Sequence, residues 1–534
     1  MRRALIFGFL ILLAATAFAD PPNKVSKDLR DDDPRSSVDV IVQFHQAPTA
    51  AHHRKVTDLG GQHKRQLDSV KGGLYSLSPR QLKKLAADPD VAYISPDRPV
   101  FGALDYSAAT VGALTAQSYG WTGTGVGVAV IDSGVSATSD FSSQIVYSQS
   151  FNGLTTNETY GHGTHVAGIV AGLGSYSRQY KGIAPAAKII NLRVLDDSGA
   201  GSDSTVIAAI DRAIALKSTY KIRVMNLSLG RPVHESYKTD PLCQAVERAW
   251  KAGIVVVVAA GNSGRDNSHG TSGYATIASP GNDPYVITVG AMKTNTTTTR
   301  SDDTIASYSS KGPTLLDHIV KPDIVAPGNR VVSASTNGVS LLEKAYPENM
   351  VGSYYFKMSG TSMATPMVSG AAALLLQKDP TLTPDQVKAR LMKTATKNFP
   401  TSSTAMDPVT GQIYTSQHDI FTVGAGYLDV LAALNNADRV AGTALSPSAV
   451  YNSVTRKVSI TYGSAVVWGD AVVWGTTVVW GNAVVWGDAV VWGDVVVWGD
   501  SVSTGFAVVW GDAVVWGDAV VWGESTKIAI KGEK

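Results

Sequence analysis

The stretch IVVVVAAGN, residues 254–262, is apolar until it ends in Gly-Asn. A strand with one face in water alternates apolar and polar side chains, whereas a strand that is covered on both faces does not. The run therefore predicts a central strand of a sheet, with helices packed on both sides of it.

The segments around this strand alternate between apolar strand-like runs and helix-like ones, for example GVGVAVID, HGTHVAGIVAG, AKIINLRVL, STVIAAIDRAIALK, IRVMNLSLG and PLCQAVERAWKAG. Such alternation is typical of parallel strands that are joined by helical crossovers. For residues 104–441 the sequence predicts an α/β fold, with a mostly parallel, doubly wound sheet. The stretch Thr383-Pro384-Asp385-Gln386 predicts the start of one helix, with a capping box and proline at the first position.

The first hundred residues contain three further regions. Residues 1–19 combine Arg2-Arg3, an apolar stretch too short for a bilayer and the small residues of Ala17-Phe18-Ala19, which predicts a secretory signal peptide. Residues 20–36 are polar and predict a linker. Residues 37–103 contain three strand-like segments, VDVIVQF, GGLYSLS and VAYISPD. A helical stretch follows the first of them and the short helix PRQLKKLAAD follows the second, which predicts a small α+β, ferredoxin-like unit.

Composition excludes some classes of function. The 534 residues carry a net charge of +2 without a long basic run, which disfavours nucleic-acid binding. After the signal peptide, no segment is long enough for a transmembrane helix. The one cysteine, Cys243, excludes an internal disulfide, and its helical spacing with Val246 and Trp250 predicts a buried thiol.

Four polar residues stand where an α/β fold places its sites. Asp132 and Asn262 end strand-like runs, and sites in doubly wound sheets form at the carboxyl ends of strands. His162 and Ser362 open helix-like stretches. A serine nucleophile needs an imidazole to take its proton, the imidazole needs a carboxylate, and the oxyanion needs donors. Each motif alone also suits a turn or a helix cap, but together the four predict a nucleophilic hydrolase.

Seven motifs in this region resemble those of the subtilisin-like serine peptidases, the subtilases. They are DSG (132–134), HGTHVAG (162–168), SLG (228–230), AAGNSG (259–264), SSKGP (309–313), KPDIVAPG (321–328) and GTSMATP (360–366). The resemblance covers roughly residues 105–440. It implies that Asp132 orients His162, that His162 is the general base and then acid, that Ser362 is the nucleophile and that Asn262 binds the oxyanion.

The resemblance also implies a substrate site. The stretch Ser228-Leu229-Gly230 would pair with an extended peptide and form one wall of the specificity pocket, and Ala259 to Gly261 would form another. Ala278 would lie near the base of the pocket, and its small, uncharged side chain suggests a preference for large apolar residues. The expected partners are therefore protein and peptide substrates.

No cofactor is required by such chemistry, but calcium often stabilises members of the family. Asp140 could match one family ligand. The loop GLGSYSRQYKG, residues 172–182, lacks the asparagine-rich run of the family, so no set of metal ligands can be assigned from the sequence.

By the same resemblance, residues 37–103 correspond to an inhibitory propeptide, which would be cut from the catalytic domain between about Pro99 and Leu114. The sequence therefore predicts a secreted, extracellular serine endopeptidase that is made as a zymogen and inhibited by its own propeptide. An ordinary N-terminal interaction domain is the alternative for residues 37–103.

Residues 464–524 repeat Ala-Val-Val-Trp-Gly-Asp every six residues, between a predicted linker at 442–463 and a C-terminal tail at 525–534. Valine and tryptophan favour strands, and Gly-Asp suits hairpin turns. Three interpretations stay open: a tail without one structure, a module that binds a surface or glycan, and a self-associating segment. They lead to a second hypothesis for the whole chain, a cell-surface adhesion or assembly protein whose peptidase domain serves only its own maturation.

Overall fold

The computed structural model describes residues 24–25, 29, 37–67, 70–96, 106–141, 143–268, 270–407, 410–452, 457–461 and 533. The chain divides into two compact units, Met1–Phe101 and Gly102–Lys534. The predicted signal peptide at 1–19 and the predicted repeat at 464–524 lie outside the described residues. Within the described ranges, every helix is too short or too polar to cross a bilayer.

The first unit contains two helices on a four-stranded antiparallel sheet. Its elements are β1 (Val38–Phe44), α1 (Ala50–Asp58), β2 (Gln62–Leu67), β3 (Gly72–Leu77), α2 (Pro79–Ala86) and β4 (Val91–Pro96), and the strand order is β2-β3-β1-β4. Val40, Val42, Tyr75, Leu77 and Ile94 are fully buried in its core. This arrangement agrees with the predicted ferredoxin-like unit.

The prediction omitted β2, and it placed residues 20–36 entirely in a linker. β2 reads QHKRQL, and its side chains are mostly exposed because it is an edge strand that pairs with β3 alone. Such a strand shows no apolar alternation in the sequence. Within 20–36, the backbone N–H of Ile94 donates to Lys24 O at 2.7 Å, and Val25 forms a parallel bridge with Ile94. Part of the predicted linker therefore pairs with β4.

The second unit is built around an eight-stranded sheet. Its strands are β5 (Gly127–Asp132), β6 (Ile145–Ser150), β7 (Lys188–Arg193), β8 (Ile222–Leu227), β9 (Val255–Ala259), β10 (Ile287–Lys293), β11 (Thr304–Ile305) and β12 (Ile324–Pro327). The order β6-β7-β5-β8-β9-β10 is parallel throughout; β12 pairs parallel and β11 antiparallel with β10. The strand predicted from IVVVVAAGN is β9, which is central and buried along its whole length. The predicted fold class is confirmed for this unit.

Helices cover both faces of this sheet. The helices of the unit are α3 (Ser107–Thr110), α4 (Ala113–Ser118), α5 (His162–Ala171), α6 (Asp203–Tyr220), α7 (Pro241–Lys251), α8 (Leu341–Ala345), α9 (Thr361–Lys378), α10 (Pro384–Thr394), α11 (Ile420–Val423) and α12 (Val430–Asn435). α5 and α9 pack on each other and on one face, whereas α6 and α7 form a second pair on the other. α9 is buried on nearly all sides, in agreement with its apolar sequence.

The predicted capping box at the start of α10 is confirmed. The Gln386 N–H donates to Thr383 Oγ1 at 3.2 Å, and the Thr383 N–H donates to Gln386 Oε1 at 3.1 Å. Pro384 occupies the first helical position, where its missing N–H costs no hydrogen bond.

Smaller antiparallel sheets complete the second unit, formed by β13 (Val331–Ala334) with β15 (Tyr355–Met358) and β14 (Met350–Val351), by β16 (Ser402–Met406) with β17 (Ile413–Gln417), and by β18 (Ser448–Asn452) with β19 (Lys457–Thr461). The last pair corrects the prediction of a linker at 442–463. Ala449 and Ile460 are buried against Val320 and Phe421, so the hairpin belongs to the packed unit. Each strand has only five residues, which is too short for a clear periodic pattern.

A buried charge cluster connects β10, β12 and α10. The Asp323 carboxylate lies 2.7 Å from Lys321 Nζ and 3.2 Å from Lys388 Nζ, and all three side chains are at most 1% exposed. Burial lowers the pKa of Lys388 to about 7, although the attraction of Asp323 opposes this effect. The cluster therefore contains an ammonium group that gives up its proton near neutral pH.

We expect Lys388 to make the stability of the fold depend on pH. Its ordinary pKa is 10.5, so between about pH 7 and 10.5 the unfolded chain binds a proton that the folded chain does not, and the free energy of unfolding rises with pH. Lys388→Met should abolish this rise in denaturant titrations. Lys393→Met, on the same helix but in an exposed ion pair with Asp438, is the control that keeps it. An undiminished rise in Lys388→Met would contradict the assignment.

Candidate active site

Three of the predicted groups lie at the carboxyl ends of neighbouring strands. Asp132 is the last residue of β5, Ser228 follows β8 directly, and Asn262 comes three residues after the end of β9. On one side of β5 lie β7 and β6, which follow it in the chain, and on the other side lie β8, β9 and β10. A crevice forms where the strand order reverses in this way, and ligands of doubly wound sheets bind there.

Asp132 and His162 form a buried hydrogen-bonded pair. Asp132 is 1% exposed, and His162 Nδ1 lies 2.7 Å from Asp132 Oδ1, which also accepts from the Ser133 N–H at 2.8 Å. An ionised carboxylate only accepts hydrogen bonds, so the imidazole donates to it through Nδ1. In the neutral ring Nε2 then carries the lone pair, which makes it a proton acceptor.

The glycine after His162 allows this pair to form. A β-carbon at Gly163 would lie 2.1 Å from the carbonyl oxygen of Gly134, in the turn that follows Asp132. Any other residue would therefore push the start of α5 away from that turn. The close approach of two backbones explains why the histidine of the GHGTH motif is followed by a residue without a side chain.

A second buried carboxylate, Glu158, was not singled out by the sequence analysis. It accepts from the N–H groups of Gly161 at 2.8 Å and Thr164 at 3.1 Å, at the start of α5. Ser133 Oγ lies 3.0 Å from Glu158 Oε2 and 3.2 Å from Asp132 Oδ1. The available signal was an acidic residue just ahead of a helix start, where the helix dipole favours negative charge.

The two carboxylates set the proton affinity of the imidazole. Burial by itself would lower the pKa of His162, but the charge and hydrogen bond of Asp132, with a contribution from Glu158, outweigh it and raise the pKa above 6.5. Burial raises the pKa of Glu158, and its backbone hydrogen bonds only partly oppose this. The imidazolium is therefore stabilised by negative charge that is held out of water.

Ser362 is the second residue of α9, and its contacts are with Ser228. Within the described part of the chain, Ser362 Oγ donates to Ser228 O at 3.2 Å and not to the His162 ring. Ser228 Oγ donates in turn to Ser362 O at 2.8 Å. Pro366 has no N–H to offer the carbonyl four residues before it, so the Ser228 hydroxyl takes the place of the missing helical donor.

Asn262 is held against the same helix start by Thr361, which the sequence analysis did not select. The Thr361 N–H donates to Asn262 Oδ1 at 2.9 Å, and Thr361 Oγ1 lies 3.1 Å from the same atom. A backbone N–H can only donate, so the atom that faces it is the amide oxygen. The orientation of the Asn262 side chain is thereby fixed, with Nδ2 left as the donor beside Gly360 and Ser362.

The residues predicted to form the specificity pocket lie together. A β-carbon at Gly230 would lie 3.0 Å from Ala278 Cβ, and one at Gly261 would lie 3.3 Å from it. The Ala278 N–H donates to Ala260 O at 2.9 Å. Ala278 thus lies between the segment 228–230 and the segment 259–261, and Leu229 is partly exposed at this edge.

His165 and Cys243 are buried and have structural roles. His165 is fully buried, and its Nε2 faces the carbonyl oxygens of Phe356 at 2.9 Å and Val331 at 3.2 Å; burial lowers its pKa to about 3. Cys243 is also fully buried, with Sγ 3.3 Å from Asn282 Oδ1, and burial raises the pKa of the thiol. The burial of Cys243 agrees with the buried thiol that its helical spacing predicts.

The residue expected as a calcium ligand has partners within the protein. Asp140 Oδ1 accepts from the Ser175 N–H at 2.6 Å, and the hydroxyl of Tyr355 accepts from the Ser177 N–H at 3.1 Å in the same loop. In the described ranges no three His, Cys, Asp or Glu side chains are grouped as metal ligands. The residues around Asp140 therefore do not fit a calcium site that is built from carboxylates.

We expect Glu158→Gln to lower the pKa of His162, because it removes a negative charge that stabilises the imidazolium. An NMR titration of the His162 ring in the full chain would measure the change, whose sign is downward. Glu343→Gln is a matched control: Glu343 is another buried carboxylate, and it accepts hydrogen bonds from Thr336 and Gly338. An unchanged or raised pKa in Glu158→Gln would show that Glu158 is not ionised near the ring.

Comparison with known proteins agrees with this arrangement. The Subtilase family is matched over residues 123–411, more than half of the chain. The serine protease AprX of Bacillus subtilis (strain 168) is 45% identical over 288 residues, which are 52% of this chain and 62% of AprX. Subtilisin E of the same strain is 36% identical over 366 residues, which are 67% of this chain and 84% of subtilisin E.

A solved structure described as a cold adapted subtilisin-like serine proteinase is also matched, with 33% identity, a TM-score of 0.39 and coverage of 52% of this chain and 84% of that one. Because the family match covers more than half of the chain and subtilisin E is matched over most of its length, this chain belongs to the subtilase family of subtilisin-like serine peptidases.

Proposed function

We propose that this chain is a secreted serine endopeptidase in which Asp132, His162 and Ser362 form the catalytic triad. The observation that carries the proposal is the buried hydrogen bond of 2.7 Å between His162 Nδ1 and Asp132 Oδ1, at the sheet edge where Ser228 contacts Ser362. Membership of a peptidase family favours this function over that of an adhesion protein whose peptidase only matures it.

In the proposed reaction, Ser362 Oγ leaves Ser228 O, gives its proton to His162 Nε2 and attacks the carbonyl carbon of the scissile bond. Asp132 keeps the ring in the tautomer that accepts this proton and stabilises the imidazolium. His162 then protonates the leaving amine, and the acyl group stays on Ser362. Water, deprotonated by the same imidazole, hydrolyses the ester and restores the enzyme.

The oxyanion of the tetrahedral intermediate meets two donors in this proposal. Asn262 Nδ2 is one, because Thr361 occupies the other end of the amide. The Ser362 N–H is the second, since it belongs to the first turn of α9 and has no acceptor within the helix. Donors that are fixed in advance stabilise charge without rearranging during the reaction.

The proposed substrates are polypeptides in extended conformation, which pair with the backbone of 228–230. The residue before the cut bond enters the space between this segment and 259–261. Ala278 at its base has one methyl group and no charge, so large apolar side chains are the preferred class.

We propose that the protein is made as a zymogen and that the first unit is its inhibitory propeptide. The first unit has a hydrophobic core of its own, as expected of an inhibitory domain that is later removed. Cleavage between about Pro99 and Leu114 would release the catalytic unit. Export is proposed from the signal-peptide pattern of residues 1–19.

We expect Ser362→Ala to abolish labelling by a fluorophosphonate probe and hydrolysis of casein, and to leave the full-length precursor uncut. The matched control is Ser369→Ala, on the same helix, whose hydroxyl donates to Asn226 Oδ1 at 2.8 Å. Mass spectrometry of the purified protein reads both the label and the N-terminus. A labelled peptide that lacks Ser362 would overturn the assignment. Normal processing of Ser362→Ala would show that another peptidase makes the cut.

The pocket is tested by a panel of peptides that differ only in the residue before the cut bond. We expect Phe and Leu to exceed Lys and Arg in kcat/KM. Ala278→Leu should lower kcat/KM for Phe by about tenfold or more, because the added methylenes fill the base. Cleavage after Ala is the internal control and should change little. A preference for Lys or Arg in the parent enzyme would contradict the proposed pocket.

A further inference from the structure

One residue that follows the repeat in the sequence is part of the catalytic unit. The side chain of Glu533 is 3% exposed, although the chain between Thr461 and Glu533 lies outside the described residues. Its partners are Arg265, Lys293, Ser307 and Asn329, which we call the Glu533 pocket. The sequence predicted only a C-terminal tail at residues 525–534.

The carboxylate of Glu533 meets two buried cations and one backbone donor. Oε1 lies 2.8 Å from Arg265 Nη2 and accepts from the Ser307 N–H at 3.0 Å, with the Ser307 hydroxyl as a further donor. Oε2 lies 3.4 Å from Lys293 Nζ. The hydrogen bond of Oε1 with the Arg265 guanidinium is charge-assisted, and such bonds are among the stronger polar contacts in proteins.

The backbone of Glu533 is held as well. Asn329 Nδ2 donates to Glu533 O at 2.9 Å, and the Glu533 N–H donates to Asn329 Oδ1 at 2.8 Å. One side-chain amide thus satisfies both backbone groups of the same residue. This pairing recognises an extended chain whatever its side chain, while the cations select a carboxylate.

Among the described residues of the pocket, the ion pairs of Arg265 and Lys293 are balanced when Glu533 is in place. Arg265 and Lys293 are at most 9% exposed, and Asp407, 2.7 Å from Arg265, supplies one negative charge. Two cations and one carboxylate would leave one positive charge buried without a partner. Such a charge is costly in a desolvated site, so the pocket favours an anion.

We propose that the Glu533 pocket is a docking site for the segment that follows the repeat. Before the repeat the chain is then held on the catalytic unit by the β18–β19 hairpin, and after the repeat it is held by Glu533. The occupant is a glutamate of this same chain.

Two residues that bind Glu533 are adjacent in the chain to residues that are hydrogen-bonded to loops of the proposed active site. Asn329 follows Gly328, whose carbonyl accepts the Gly360 N–H at 2.8 Å, two residues before Ser362. Ser307 precedes Tyr308, whose carbonyl accepts the Gly264 N–H at 2.8 Å, two residues after Asn262. Glu533 therefore joins the two segments that support the nucleophile and the oxyanion donor.

Hydrogen exchange of the Ser307 amide tests the docking in the full chain, with Ser362→Ala present to prevent self-cleavage. We expect Glu533→Gln to speed this exchange by about tenfold or more, since a hydrogen bond to a charged acceptor is weakened. Glu524→Gln, which removes the same charge nine positions earlier, is the matched control and should leave the exchange unchanged. Equal exchange in Glu533→Gln and the parent would overturn the proposal.

A second experiment separates docking from a local effect on Ser307. A recognition site for a specific protease replaces SVSTGF, residues 501–506, and the full chain is cut there and passed over a sizing column. We expect the fragment that carries Glu533 to elute with the catalytic unit, and to separate from it in Glu533→Gln. Separation of the parent fragments, or retention that Glu533→Gln does not weaken, would overturn the proposal.

Discussion

The hydrogen bond between Asp132 and His162 is the contact on which the arrangement of this molecule depends. A carboxylate that is 1% exposed needs a partner, and the partner sits on a helix that begins thirty residues later. Bringing the two together requires β5 to end where α5 starts and requires the backbones at Gly134 and Gly163 to touch. The parallel sheet meets this demand, because the ends of β5, β8 and β9 share one edge.

Local pattern was enough to predict the elements with strong periodicity or composition. The uninterrupted apolar run marked β9, and Thr383 with Gln386 marked the start of α10. Strand β2 and the β18–β19 hairpin were missed because an exposed edge strand and five-residue strands carry little periodic signal. Asp132, His162, Asn262 and Ser362 were selected by residue type, position and family motif. In the structure Asp132 is hydrogen-bonded to His162, and Asn262 accepts a hydrogen bond from Thr361, next to Ser362.

Residues whose role depends on distant contacts could not be read from the sequence in this way. Glu158 matters because Ser133 links it to Asp132, and the Ser228 hydroxyl matters because Pro366 leaves a carbonyl without a helical donor. Glu533 is separated from Asn329 by 204 positions, and a single glutamate in a short tail has no distinguishing pattern. In each case a buried polar atom obtains a partner from another part of the chain, as burial requires.

The contact between Thr361 and Asn262 determines when the Asn262 side chain loses its rotational freedom. Rotation of the Asn262 amide is arrested when the unit folds, since both the N–H and the hydroxyl of Thr361 face Oδ1. When an anion binds beside Nδ2, the Asn262 side-chain amide is therefore already oriented to donate a hydrogen bond to it. The entropy that would otherwise be lost on each encounter has been removed once, during folding.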